Sequence, residues 1–492
     1  MTKANKDYMT FDSRVSTVEG LMEALRDANI NLIGVWGMSG VGKTTLVREV
    51  ANQVKENKLF DDVAIAEVVF PSLERLELSS ISEEIQHNQH QTRSSCKLTN
   101  MQASMKFQNL LTLEMNDFGS LKYLLPFSTA RLMVQLKHLH ISKCKVMEEI
   151  LLTEDLGGEE IILGELFPRL ECMMLKDLPI LKRFCVGSNI KFQSLMSLVI
   201  EKCPKLKSFI FKPVNSVMTV IKELNEMNSD EITYIATQPL FNEEVAFPSL
   251  ETLKISHMEN LKIIWHNQAV EDSFFMLKIL VVECCENLMN IFQSNMLTRL
   301  QSLEKLIVED CGSLQEIFEL QGKDVRETHV VTTIPLEELI LRCLPKMKHV
   351  WNKDPQGIFS FQNLQLIDVT KCESLKSLFP VSIARILLQL EKLVIVDCGV
   401  EEIVANEDGV EATTRFVFPK VTQLILRKLP KLKWFYQQMH TSEWPLLKEL
   451  NLCGCDQIEI FVSKILSLQE MVEQSQPETS LQPLFLVGEV RD

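Results

Sequence analysis

The residues best suited to chemistry lie near the N-terminus, in "GMSGVGKT" (Gly37–Thr44). The spacing is G-x-x-x-x-G-K-[ST], whose glycines let successive backbone N–H groups turn onto phosphate oxygens. Lys43 would reach the β- and γ-phosphates of a nucleoside triphosphate, and Thr44 would place a hydroxyl on Mg²⁺. Gly37, Met38, Ser39, Gly40, Val41, Gly42, Lys43, Thr44 and Thr45 are the candidate nucleotide-binding residues. The flanks suit this role. "NLIGVW" ahead of the loop reads as a buried strand. "TTLVREVANQVKEN" behind it reads as an amphipathic helix with Leu46, Val47, Val50 and Val54 on one stripe, its N-terminal dipole aimed at phosphate.

Hydrolysis would need an acidic residue at the end of a second buried strand to hold the Mg²⁺. "LVIVD" (Leu393–Asp397) has that form, but Asp397 falls where sister segments carry Lys143, Lys202 and Lys371. Asp61 and Asp62 precede their strand instead of ending it. No catalytic residue is assigned, and the chain reads as something other than an enzyme. An active NTPase is the reading the sequence supports least.

Stepping out from the loop, nearly all of the remaining chain repeats one phrase. "FPSLERLELSSI" (Phe70–Ile81) returns as "FPRLECMMLKDL", "FPSLETLKISHM" and "FPKVTQLILRKL". A sister form closes on cysteine: "LKHLHISKC" to Cys144, "LEKLIVEDC" to Cys311, "LEKLVIVDC" to Cys398. All share L-x-x-L-x-L-x-x-(C/L/M), in about 13 copies with a commonest step of about 26 residues, the period of a leucine-rich repeat. L-x-L puts two apolar side chains on one face of a short strand, and stacking the copies makes a parallel sheet on the concave side of an arc. The closing position turns the chain inward, where a small buried thiol fits as a hydrophobe with a weak donor. Cys144, Cys203, Cys285, Cys311, Cys372, Cys398 and Cys455 occupy it, which favours structural thiols over metal or redox sites. In "LPKMKHVW" and "CGSLQEIF" the second apolar residue and the terminal aromatic should close the convex side.

The fold class expected is α/β: a solenoid of parallel strands preceded by a partial phosphate-loop unit. Residues 1–69 form that unit, about 70 residues, too few to bury a substantial core. Residues 70–462 form the array, with an insertion near 212–246, and 463–492 form a tail that begins an incomplete repeat. Because "QPLFLVGEVRD" at the end echoes "QPLFNEEVAF", the array reads as cut short or covered by something else.

Composition limits the partners. A formal net charge of −15 argues against a general nucleic-acid binder. "RKLPKLKW" (Arg427–Trp434) is locally basic but reads as a solvated turn. The polar N-terminus has no signal-peptide core, and no apolar run approaches the ~18 residues of a membrane span. With 13 cysteines, no signal and no glycosylation sequon, reduced thiols and a cytoplasmic location are expected. Outward strand residues should form the recognition surface: Glu77, His140, Lys254, Asp368 and Asn451 are the candidates, beside the apolar Val281, Ile307, Ile340, Val394 and Ile425.

With both halves read, the chain resembles plant disease resistance proteins of the coiled-coil, NB-ARC, leucine-rich-repeat type. "FDSR" (Phe11–Arg14), "NLIGVWGMSGVGKTTLVREVANQ" (Asn31–Gln53) and "KLFDDVAIAEV" (Lys58–Val68) carry the resemblance, together with "FPSLE-x-L", "LPKLK" and "C-x-x-L". It implies an intracellular receptor that binds ADP or ATP with Mg²⁺ and senses a pathogen effector or a modified host protein through its repeats. Gly37, Gly40, Gly42, Lys43, Thr44 and Thr45 match the family's phosphate loop, and "FDSR" matches the region near adenine and ribose. Against the family's pattern, the chain is expected to lack the signalling coiled coil, the Walker B aspartates, the Gly-Leu-Pro-Leu segment and the Met-His-Asp sensor. Without the later subdomains there is no second conformation for ATP to favour. A truncated decoy, regulatory or relic binding module without a nucleotide role is therefore the alternative.

Overall fold

The structure is a computed structural model. It describes residues 12–26, 43–57, 72–79, 109–119, 121–153, 162–211, 239–265, 273–320, 331–405, 414–438, 440–458, 461–463 and 485–487.

Two helices open the described chain, α1 (Asp12–Arg26) and α2 (Lys43–Glu56). They pack through Val18, Met22, Leu46, Val50 and Val54, with Leu21 and Leu25 partly buried. Leu46, Val50 and Val54 follow the i, i+4, i+8 spacing of one helical stripe. Val47 was expected on that stripe but is 40% exposed. It lies about 100° around the helix from Leu46, beyond the single face that α1 covers.

The rest is a leucine-rich-repeat solenoid. Thirteen parallel strands stack in chain order into one sheet. The sheet runs from Arg75–Ser79 through Thr112–Asn116 to Glu449–Cys453. In interior strands such as Lys305–Glu309 burial alternates, so that Leu306 and Val308 are fully buried while the residues between them face outward. Period two follows from the pleat. Such a coil cannot bury its leucines alone, and its neighbours on both sides complete the core. The two end strands show the converse. Leu76 and Leu78 are only partly buried, and Leu450 is 37% exposed.

The corner after each strand has a fixed conformation. From Asp117 to Gly454 the residue following each strand of the thirteen-stranded sheet has φ between 51° and 67°. Aspartate, lysine, histidine and cysteine all occupy this left-handed position, which ordinarily disfavours residues with a Cβ. The corner N–H supplies compensation by bonding to the next coil, as in Lys143 to the Lys176 carbonyl at 3.0 Å and Asp397 to the Arg427 carbonyl at 2.9 Å. One residue later sits the closing side chain. All seven closing thiols donate to the carbonyl two residues back, at 3.2–3.8 Å. The closing cysteines are buried except Cys455, in the last coil of the sheet, which is partly exposed.

The convex side is closed by aromatic stacking. Phe292, Phe318 and Trp351 stack coil on coil with centroids 5.7 and 5.6 Å apart at 16°. Phe184 and Phe209 stack at 5.0 Å, and Phe192 and Phe247 at 5.5 Å. These offset arrangements suit the ring quadrupole and add to area burial. Beyond the sheet's last strand, Phe461–Ser463 pairs in parallel with Phe485–Val487.

Candidate recognition surface and nucleotide loop

The central outward position of each strand is in register with its neighbours along the whole sheet. Glu77 pairs with Glu114, Glu114 with His140, and the row continues through Lys254, Ile307 and Asp368 to Asn451. The structure thus places Glu77, His140, Lys254, Asp368 and Asn451 on a single concave line. Strand spacing separates adjacent members by about 4.8 Å.

The line divides by chemistry. Its first coils are polar: Arg75 lies 3.0 Å from Glu114 and 3.8 Å from Glu77, and His140 Nδ1 lies 3.8 Å from the Glu114 carboxylate. Its middle is apolar, with Val281, Ile307 and Ile340 in consecutive register and half-buried. Val394 and Ile425 continue it beyond Asp368.

Two candidates are already held by their neighbours. Lys254 Nζ is 2.7 Å from Glu283 in the next strand. Asp368 accepts from Arg342 Nη2 at 2.6 Å and from Thr370 Oγ1 at 2.9 Å, and Arg342 also donates to Glu309 at 3.1 Å. Asp368 is only 16% exposed at its side chain. Sequence reasoning missed Glu283, Glu309 and Arg342. Their signal was available: opposite charges at the last outward position of neighbouring repeats. These charges are held in fixed pairs beside the apolar middle.

At the phosphate loop the description is narrower. Gly37, Met38, Ser39, Gly40, Val41 and Gly42 lie outside the described residues. Lys43, Thr44 and Thr45 form the first turn of α2. Lys43 opens α2 directly behind the glycine-rich stretch of the sequence, and a helix N-terminus favours a bound anion. The "NLIGVW" and "FDDVAIAEV" strands and "FDSR" up to Phe11 lie outside the described residues. Asp397, the one residue with a superficial resemblance to a Mg²⁺ ligand, is a left-handed corner with φ 57°, in line with Lys371 and Lys428.

Among the described residues, no group of three or more His, Cys, Asp or Glu side chains is placed to hold a metal. No helix among them is long and apolar enough to cross a membrane.

The parallel ladder, left-handed corners and buried closing residues define a leucine-rich-repeat protein behind a nucleotide-loop segment. The chain belongs to the family described as "Plant disease resistance protein RPS2-like, leucine-rich repeats", whose model matches residues 72–233 and 249–399. The NB-ARC domain model matches residues 14–114. The two matches overlap over 72–114, where the strands Arg75–Ser79 and Thr112–Asn116 already pair as the first rungs of the sheet. A leucine-rich repeat protein from Bacteroides ovatus is similar at 14% identity, over 74% of this chain and 82% of that one, with a TM-score of 0.21. No curated protein matches.

Proposed function

We propose that this immune-receptor-like chain recognises a protein through the concave sheet, and that the partner is a pathogen effector or a host protein altered by one. The observation that carries this reading is the half-buried apolar run Val281–Ile307–Ile340 on an open sheet face, bordered by fixed charges. Apolar side chains surrounded by a polar rim are the usual anatomy of a protein-binding centre. Ile307→Asp and Ile340→Asp should abolish pairwise binding of a candidate effector or host protein, whereas Lys207→Glu on the far side of the coil should not. Equal losses from both classes would rule out the concave site.

ADP or ATP, with Mg²⁺ against Thr44, is the cofactor this reading assigns to Gly37–Thr45. Lys43 would hold phosphate oxygens there, and Thr44 would place a hydroxyl on Mg²⁺. Hydrolysis is not part of the proposal. Titrating labelled ADP and ATP into the protein and Lys43→Ala tests it: binding weakened by the substitution supports a nucleotide role. Negligible binding by both leaves the second reading, a recognition module alone, which the small α1–α2 core favours. Phosphate release abolished by Lys43→Ala would overturn the non-enzymatic assignment. This reading includes a cytoplasmic site of action, which free cysteines among the described residues support.

A further inference from the structure

Two charged rows run from coil to coil, one just before the strands of the long sheet and the other beyond their closing residues, ahead of short strands such as His349–Trp351 and Ser377–Phe379. Four residues beyond the closing residues Leu344, Cys372 and Leu429 stand Lys348, Lys376 and Lys433. Glu401 interrupts this row: its N–H bonds to the Lys376 carbonyl, and its own carbonyl accepts from Lys433 N–H. The second row lies immediately before the strands: Glu304, Glu337, Gln365 and Glu391, linked by successive N–H to carbonyl bonds of 2.8 Å. Among the described residues Glu304, Glu337 and Glu391 have no side-chain ion-pair or hydrogen-bond partner, and Lys376 has none either.

Displacing one row by a single coil brings them into correspondence. Lys348 then faces Glu304, Lys376 faces Glu337, and Lys433 faces Glu391. The acidic interruption, Glu401, falls opposite the neutral one, Gln365. Each row steps from coil to coil through backbone N–H to carbonyl bonds, Glu401 to Lys376 and Lys433 to Glu401 in one, Glu337 to Glu304 and Glu391 to Gln365 in the other, which sets a step of about 4.8 Å in both. A partner with that step over this length is another solenoid of the same pitch. We propose that this chain associates side by side with a second copy of itself, in the same direction and one coil out of step, the lysine row of one copy against the glutamate row of the next. The contact is heterologous, so it leaves a free row at each end and extends beyond a dimer. Each exposed pair is weak alone, and the association is therefore multivalent and salt-sensitive.

Sedimentation velocity on the full chain tests this. The unaltered protein should form species larger than one copy at about 20 mM salt and revert to single copies at about 500 mM. Lys348→Glu/Lys376→Glu/Lys433→Glu and Glu304→Lys/Glu337→Lys/Glu391→Lys should each sediment as single copies at low salt. An equimolar mixture of the two should associate again, since each reversed row now meets its complement. Starting from a net charge of −15, each triple reversal leaves the chain negative, so overall attraction cannot explain recovery. Circular dichroism confirms that each variant is folded, and the mixture is an internal control for it. Single copies of the unaltered protein at every salt concentration, association unmoved by either reversal, or failure of the mixture to associate would each overturn the proposal. Binding of anionic vesicles through the lysine row without self-association would overturn it too, and assign the row to a different partner.

Discussion

Arg342 and Asp368 face each other across adjacent strands, with Nη2 donating to Oδ2 at 2.6 Å and the second guanidinium nitrogen reaching Glu309 at 3.1 Å. One cation thus ties three consecutive coils across the concave face. Arg342 is 43% exposed, so solvent screens the pair. Asp368→Asn should lower unfolding stability by about 0.5–1 kcal/mol. In an Arg342→Gln background the same change should cost almost nothing, as a double-mutant cycle in urea would show. Equal costs in both backgrounds would mean that Asp368 acts through something other than Arg342.

Gly399 lies where the turn from the closing cysteine to the next buried apolar residue is shortened, Cys398 to Val400 against Cys372 to Leu375, and its N–H bonds to the Cys372 carbonyl at 3.1 Å. A Cβ there would run into the Glu373 carbonyl oxygen, which belongs to the backbone and has little room to move. Gly399→Ala should cost about 1–3 kcal/mol by overpacking. Gly119→Ala, with nothing within 4 Å of the added carbon, should be close to neutral in the same denaturation series.

Two of the closing thiols, Cys144 and Cys203, should be chemically silent. Burial pushes the Cys203 thiol up to about 12, and burial also raises Cys144, with Asp117 adding to it. A raised value means less thiolate and slower alkylation at neutral pH. Iodoacetamide followed by peptide mass mapping should label exposed Cys453 first and spare Cys144 and Cys203 until denaturant is added. Early labelling of Cys203 would show that its coil opens.

Glu316 gives the fold a pH dependence of known sign. Burial, with Glu319 nearby, raises its carboxyl above the usual range against an opposing hydrogen bond from Asn352. The folded state therefore holds this proton more tightly than the unfolded chain. Ionisation at neutral pH destabilises the fold, and the penalty fades as pH falls from the folded value to the unfolded one. Glu316→Gln should raise the melting temperature at about pH 7, and the difference should disappear near pH 4. A constant difference at both pH values would assign the effect to packing.

Much of this was legible because the repeat states its own geometry. L-x-L requires a strand with one buried face, and a residue allowed to vary between lysine, aspartate and cysteine before a constant closing position marks a corner that no side chain packs against. Corner and thiol roles could therefore be read from alignment of the copies within one chain. Val47 could not. A helix's apolar stripe tells which residues prefer burial, but how wide a face is covered depends on the number of elements packed against it.

The sequence by itself determined the strand register, the inward leucines, the closing thiols and the outward line from Glu77 to Asn451, because each follows from a local period and identical coils must stack alike. Only the tertiary structure decided which outward charges are committed to neighbours, that Gly399 has backbone against its missing Cβ, and that two distant rows share a step and complement each other at one coil's displacement. Those depend on distances between residues more than 25 positions apart, such as Arg342 and Asp368 at |i−j| of 26. Such distances are fixed when the sheet closes, not by the residues nearby in the chain.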